Sequence, residues 1–189
     1  TWGDEQPAAT ALAPADPEAE VTQWEHRVAT DPDDGVAWQQ LAPYYLKQAA
    51  GSGDRKLVEQ ARHAVDEAIR LRPDDLATYL AHGSLLLTLH QFAAAHDVGT
   101  AARAAHPDSP DALAILVDAS IELGRYEEAE ANLRDLLERR PDAAALARVS
   151  YLRELNGDLD GARVAMAQAE TAAGGDLSET VTIATLVGD

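Results

Sequence analysis

Hydrophobic residues in this chain recur at intervals of three and four, which places them on one face of an α-helix. The amphipathic runs end at prolines, and Pro73, Pro107 and Pro141 are spaced 34 and 34 residues apart. Between these prolines a similar order of large and small residues returns. A fixed period of this length is typical of a solenoid in which each unit is one helix-turn-helix hairpin. The pattern therefore predicts an all-α fold.

The period divides the chain into a series of helices. Val21, Trp24 and Val28 share one face of a first helix over 17–30, which has no preceding partner and is predicted to close the amino end of the stack. The predicted hairpins follow over 33–73, 75–107, 109–141 and 143–174.

The first hairpin exceeds the period, since Pro32 and Pro73 are 41 residues apart. The surplus predicts about one extra turn in each of its helices. Its first helix is expected to end at Ala50.

Several residues between the amphipathic runs have the chemistry of helix ends. Asp54 and Asp158 are suited to accept hydrogen bonds from the first turn of the helix that follows each of them. Ser109 can do the same, with Pro110 as the first helical residue. Gly124 and Gly157 are predicted to adopt the left-handed conformation that ends a helix. These residues support the predicted positions of the turns.

The two ends of the chain depart from the repeat pattern. Residues 1–16 are rich in proline, alanine and acids without a period, which predicts a flexible tether. Residues 176–189 follow the solenoid over 17–175 and are expected to start a further repeat or to form a capping helix. Because the chain begins at Thr1 with this tether, we expect a domain held outside a bacterial cytoplasmic membrane; a cytoplasmic fragment would have much the same sequence.

The repeats resemble the tetratricopeptide repeat, whose pattern is W-x2-L-G-x2-Y, then A-x3-F, then P. The first hairpin carries Trp38-x2-Leu41-Ala42-x2-Tyr45, followed by Ala61-x3-Val65 and Pro73. This resemblance implies a right-handed α-solenoid in which the first helix of every hairpin lines a concave groove. It also implies a non-catalytic scaffold that binds a peptide, a helix or another domain in that groove.

The family's groove positions can be transferred to the first helices of the hairpins. The candidate groove residues are Gln39, Gln40, Lys47, Leu80, Ser84, Leu87, Asp118, Ile121, Glu122, Tyr151 and Glu154. They change from amide and basic, through apolar, to acidic, and such a surface suits a protein or peptide partner with an apolar anchor and a basic stretch. The alternative is that these side chains form ordinary solvated helix faces.

A second hypothesis for the function is a structural or assembly module. An unfinished repeat leaves apolar surface at the carboxyl-terminal end of the stack, and exposed apolar patches tend to pair. The sequence therefore also admits a homo-oligomer formed through this terminal face.

Composition narrows the classes of partner. The formal charge is −18, which argues against nucleic acid because an acidic surface repels phosphate. The chain has no run of about 18 apolar residues, so we expect no direct membrane insertion. It also has no cysteine, which excludes disulfides and thiolate chemistry.

Candidate catalytic and metal-binding residues are few. Of the six histidines, only His90 and His96 flank one predicted turn, and no H-E-x-x-H pair occurs. The run from Asn156 to Gly161 imitates the start of a calcium loop, but Ala167 stands where that loop needs a glutamate. No phosphate-binding glycine loop or nucleophile elbow is present. We therefore predict neither an enzyme nor a metal or other cofactor.

Overall fold

The computed structural model describes residues 17–174. Within this range the chain forms α-helices and no β-strand. The helices are α1 (Pro17–Thr30), α2 (Gly35–Ser52), α3 (Arg55–Leu71), α4 (Leu76–Thr88), α5 (Phe92–Ala105), α6 (Pro110–Glu122), α7 (Tyr126–Arg139), α8 (Ala143–Leu155) and α9 (Leu159–Ala172). None of these helices combines the length and apolar character needed to cross a lipid bilayer.

The helices after α1 form four hairpins, α2–α3, α4–α5, α6–α7 and α8–α9, and short turns make the two helices of each hairpin antiparallel. The first helices of the hairpins also contact one another in succession, from α2 to α8. Among the described residues, the backbones of α3, α5, α7 and α9 do not approach one another in this way, although polar side chains join α5 to α7. The row α2, α4, α6 and α8 is therefore the inner row of a curved stack.

Small residues fill much of the core. Alanines such as Ala37, Ala61 and Ala102 are fully buried where helices meet, and the absence of larger side chains lets the helix axes approach closely. Larger residues fill the spaces between, and the largest that are almost wholly buried are Leu41, Val65, Leu113, Val117 and Leu136. A single hairpin cannot cover its own apolar face. Each hairpin therefore buries its apolar side chains against the neighbouring hairpins.

The predicted helix ends agree closely with the structure. The carboxylates of Asp54 and Asp158 accept hydrogen bonds from the amides of Lys56 and Gly161 at the starts of α3 and α9. Ser109 caps α6 by accepting from the Ala112 amide, with Pro110 in the first turn. The glycines at 124 and 157 have φ values of 70° and 81°, as expected of left-handed helix stops.

The first hairpin shows one correction and one confirmation. Helix α2 does not end at Ala50 but continues to Ser52, and the stop is Gly53, which has a φ of 66°. Helix α2 has 18 residues where the equivalent α4 has 13, and α3 has 17 where α5 has 14. The surplus is therefore shared between the two helices, as the sequence predicts.

The predicted division of the chain into domains extends beyond the described residues. The tether over 1–16 and the further repeat or capping helix over 176–189 lie outside 17–174. Both assignments stay predictions.

Candidate protein-binding groove

The candidate groove is the exposed surface of the inner row, formed by α2, α4, α6 and α8. Side chains on this surface come from equivalent positions in successive hairpins, so neighbouring repeats place them side by side. The sequence-predicted groove residues fall on all four helices. The structure separates those that reach the surface from those that are already engaged in packing.

At the amino-terminal end, the prediction for Gln39 needs correction. Its side chain is buried, and its Nε2 atom donates a hydrogen bond to Oγ1 of Thr78, which is also buried, over 2.8 Å. Gln39 therefore joins α2 to the following repeat and has no surface to offer a partner. Gln40 and Lys47 are exposed, and Lys47 is the basic residue at this end of the groove.

The middle of the groove is formed by α4. Leu80 and Leu87 are half-buried, while Ser84 is exposed between them at helical spacing. Leu87 packs against a small cluster that includes Leu86 and Ala95. The middle segment therefore combines a partly covered apolar surface with one hydroxyl group.

At the carboxyl-terminal end, two predicted residues are not free. Ile121 is 4 % exposed and belongs to the core formed by α6, α7 and α8, so its assignment to the groove surface is corrected. Asp118 accepts two hydrogen bonds from Arg148, Nε to Oδ1 and Nη2 to Oδ2, both of 2.7 Å. Its charge is therefore matched within the stack.

The structure brings Glu122, Tyr151 and Glu154 together at this end. Both glutamates are exposed and the tyrosine is half-buried. Burial raises the pKa of the Tyr151 phenol, and the nearby groups of Glu122, Tyr126 and Glu154 raise it further. The tyrosine therefore stays protonated at neutral pH beside two carboxylates.

Sequence analysis missed Arg148 and Tyr126, although a signal for the arginine exists. Arg148 follows its partner Asp118 by 30 residues, slightly less than one repeat. Two other polar pairs between neighbouring repeats, Arg103–Asn132 and His96–Glu128, have similar separations of 29 and 32 residues. Arg140–Asp111 and Arg139–Asp108 are 29 and 31 residues apart but join the two ends of the α6–α7 hairpin. A search for complementary polar residues at this separation would have indicated which acids are already paired.

The residues considered for metal binding or catalysis have structural neighbours instead. The ring of His90 packs edge-on against Phe92, and His96 contacts Glu128 through Nε2 at 2.7 Å. The Asp158 carboxylate caps α9. Within residues 17–174, no group of three histidine, aspartate or glutamate side chains is arranged to hold a metal ion.

Comparison with known proteins agrees with the helical repeat fold. Residues 86–154 match the tetratricopeptide repeat family. The fold is similar to that of TTC0263, a tetratricopeptide repeat protein from Thermus thermophilus, with a TM-score of 0.74 and 22% identity over 90% of each chain. No curated protein sequence matches the chain.

Two further solved structures share the fold at low identity. PilW, a type IV pilus biogenesis factor, gives a TM-score of 0.67 at 19% identity over 91% of this chain and 81% of its own. MamA gives 0.61 at 17% identity over 86% of this chain and 92% of its own. At such identities the likeness establishes the fold alone.

The predicted fold class, a right-handed α-solenoid of helix-turn-helix repeats, is thereby confirmed. The repeat period, the paired helices and the matched segment all agree with one another. Residues 86–154 thus match the tetratricopeptide repeat family, and the described chain as a whole shares the fold of tetratricopeptide repeat proteins.

Proposed function

We propose that this protein is a non-catalytic scaffold that binds a protein or peptide partner in the groove of its inner row. Tetratricopeptide repeats are in general protein–protein interaction scaffolds. The observation that supports the groove in this chain is its accessible surface, in which the apolar middle lies between Lys47 at one end and Glu122 and Glu154 at the other. A partner with an apolar anchor and a basic stretch would complement this order.

The proposal can be tested by substitution in the middle of the groove. The double variant Leu80→Glu and Leu87→Glu introduces two charges where an apolar anchor would bind. We expect it to lose the proteins that the parent chain retains in a quantitative pull-down. Ala93→Glu and Ala101→Glu, at exposed positions of α5 in the outer row, form the matched control. Equal retention by both double variants would contradict groove binding.

The charged end of the groove can be tested separately. The double variant Glu122→Lys and Glu154→Lys leaves Asp118 intact, because Arg148 depends on that carboxylate. We expect this charge reversal to release basic partners. If every partner were retained, the assignment of the acidic end would fail.

An alternative function is self-association through the carboxyl-terminal face. Its supporting observation is the exposure of Leu159 and Val164 on the last described hairpin, at 52 % and 56 %. Exposed apolar side chains in this arrangement could pair with a second copy. The segment 176–189, if it starts a further repeat or caps the stack, would compete for the same surface.

Sedimentation equilibrium distinguishes these possibilities. The self-association hypothesis predicts dimers of the parent chain and monomers of the Leu159→Glu and Val164→Glu double variant. A monomeric parent chain at high concentration would contradict it. Removal of residues 176–189 should then increase association if that segment covers the face.

A further inference from the structure

At the carboxyl-terminal end of the groove, one ion pair fixes how α6 and α8 are aligned along their lengths. Helices α6 and α8 are equivalent helices of successive hairpins and so run in the same direction. The two 2.7 Å hydrogen bonds between Arg148 and Asp118 set their relative position. Glu122 lies one turn beyond Asp118, and Tyr151 lies nearly one turn beyond Arg148. The pair therefore places Glu122 beside the tyrosine ring.

The surface around this tyrosine is aromatic and apolar as well as acidic. Tyr151 packs against the α6–α8 core but remains partly accessible. Tyr126, the first residue of α7, is 40 % exposed, and Leu155 at the end of α8 is 42 % exposed. We call Glu122, Tyr126, Tyr151, Glu154 and Leu155 the carboxyl-terminal patch.

Some acidic residues on this part of the inner row are paired with an arginine, and others are not. Asp118 is paired with Arg148, and Asp111 accepts a hydrogen bond from Nη1 of Arg140 over 2.7 Å. Within residues 17–174, Glu122 and Glu154 form no ion pair. The negative charge that is left for a partner therefore lies in the carboxyl-terminal patch, beside its two tyrosines.

We infer that the carboxyl-terminal patch binds a lysine or arginine side chain of the partner, with an adjacent apolar residue of the partner against Leu155. The cation would contact the Glu122 and Glu154 carboxylates and the face of an aromatic ring, two kinds of attraction that reinforce each other. This inference rests on the proposed function and assigns a specific chemistry to one end of the groove. The same carboxylates would repel an acidic segment.

The test uses the full chain and short fluorescent peptides that carry lysine and leucine on a glycine–serine background. One comparison peptide replaces lysine with glutamate, and another replaces leucine with serine. The double variant Glu122→Gln and Glu154→Gln removes the two unpaired charges. Its matched control is Glu138→Gln and Glu170→Gln, which makes the same change in net charge at exposed residues of α7 and α9.

We expect the patch double variant to weaken binding of the lysine–leucine peptide by about three- to tenfold, and the control by less than about twofold. Tyr151→Leu should weaken it by about two- to fivefold, whereas Tyr151→Phe, which keeps an aromatic ring, should bind within about twofold of the parent. The glutamate peptide should not bind, and the serine peptide should bind more weakly than the lysine–leucine peptide. Thermal unfolding of each variant checks that the stack is intact.

Two results would overturn the inference. If both glutamine double variants weakened binding equally, the attraction would be a general effect of the net charge. If Tyr151→Leu and Tyr151→Phe bound as tightly as the parent, the aromatic contact would be absent.

The groove variant Leu80→Glu and Leu87→Glu separates this inference from the proposed function. Loss of peptide binding in that variant, with none in the patch variants, would retain the groove and reject the patch. Loss in the patch variants alone would support the patch and show that the apolar middle of the groove takes no part in binding this peptide. No loss in either set would reject both.

Discussion

Arg148 of α8 holds the Asp118 carboxylate of α6 in a two-point contact, with Nε and Nη2 each 2.7 Å from a separate carboxylate oxygen. The side chains are 13% and 28% exposed. Burial alone would lower the pKa of Arg148, but the charge of Asp118 and its hydrogen bonds outweigh it and raise the pKa. The pair therefore joins the last two described repeats as a fixed charged contact.

Removing one member of this pair should cost more than removing both. Asp118→Asn leaves the guanidinium of Arg148 in a poorly solvated position, so we expect the free energy of unfolding to fall by about 1–3 kcal/mol. Adding Arg148→Met to Asp118→Asn should recover part of that loss, because no guanidinium is then left unpaired. Urea denaturation of the single and double variants measures the coupling. Strictly additive effects would show that the contact contributes nothing.

A second relationship between repeats depends on two glycines. A Cβ atom at Gly83 of α4 would lie 2.6 Å from Cδ1 of Ile115, and one at Gly99 of α5 would lie 3.0 Å from Leu116 Cδ2. Helix α6 thus approaches α4 and α5 through positions that have no side chain. At the next junction, between α7 and α8, the position equivalent to Gly99 is occupied by Leu133, 34 residues later. A cleft of about 280 Å³ lies between α7 and α8 at this junction.

This packing predicts the effect of adding a single methyl group. Alanine is a better helix former than glycine by about 1 kcal/mol, yet Gly99→Ala should lower the free energy of unfolding by about 1–3 kcal/mol because of overpacking. Gly51→Ala, in α2 with no atom near the new Cβ, should instead leave stability unchanged or raise it by up to about 1 kcal/mol. Chemical denaturation compares the two variants.

The Gly83 contact offers an internal check on this explanation. Ile115→Val removes the Cδ1 atom that the new methyl group would meet. Gly83→Ala should therefore be better tolerated together with Ile115→Val than in the parent chain. If the two substitutions were no better together, the steric account of this junction would be wrong.

The sequence predicted helices and turns well because they depend on local chemistry. Prolines at a fixed period, Ser109 before Pro110 and the glycine at 124 act within a few residues of their position, so their effects can be read in order. The end of α2 was predicted two residues early because the helix break was assigned to the whole run from Gly51 to Asp54. Only Gly53 has the left-handed backbone that ends that helix.

The candidate groove was harder to predict, because exposure there depends on contacts between repeats. Gln39 stands at a groove position but reaches Thr78 of the next hairpin. Asp118 and Glu122 are both acidic residues of one helix, yet only Asp118 has an arginine within reach. A helical pattern identifies which face a residue is on, but not which side chains of that face are already paired.

The burial of His82 predicts that the stability of the fold depends on pH. It is half-buried on α4, and burial lowers its pKa although the charge of Asp66 opposes the shift. In the unfolded chain the pKa returns to about 6.5, so the unfolded state takes up the proton first. Above about pH 6.5 His82 is uncharged in both states and does not reduce the free energy of unfolding. As the pH falls below that value, the unfolded state is protonated first and the free energy of unfolding decreases.

The measurement is the free energy of unfolding at neutral and mildly acidic pH. We expect His82→Leu, which introduces the residue type found 34 positions later at Leu116, to lose less stability on acidification than the parent chain. His26→Gln, at an exposed histidine of α1, is the control. Identical pH dependence in the parent and His82→Leu chains would show that His82 stays solvated.

The amino-terminal helix provides the last prediction, because α1 is attached to the stack through α2 alone among the described helices. The Tyr45 hydroxyl of α2 donates a hydrogen bond of 2.8 Å to Oε1 of Glu25, and the phenol is only 7 % exposed. Burial raises the pKa of Tyr45, and Glu25 raises it further, so the donor proton is retained at neutral pH.

Tyr45→Phe should therefore loosen α1 while leaving the central repeats intact, at a cost of about 0.5–1.5 kcal/mol for the lost hydrogen bond. Hydrogen exchange can resolve this, because amides of α1 should exchange faster while those of α6 keep their protection. Tyr44→Phe, one residue earlier and only half-buried, is the matched control. Equal acceleration in both variants, or acceleration spread over all helices, would contradict a local attachment through Tyr45.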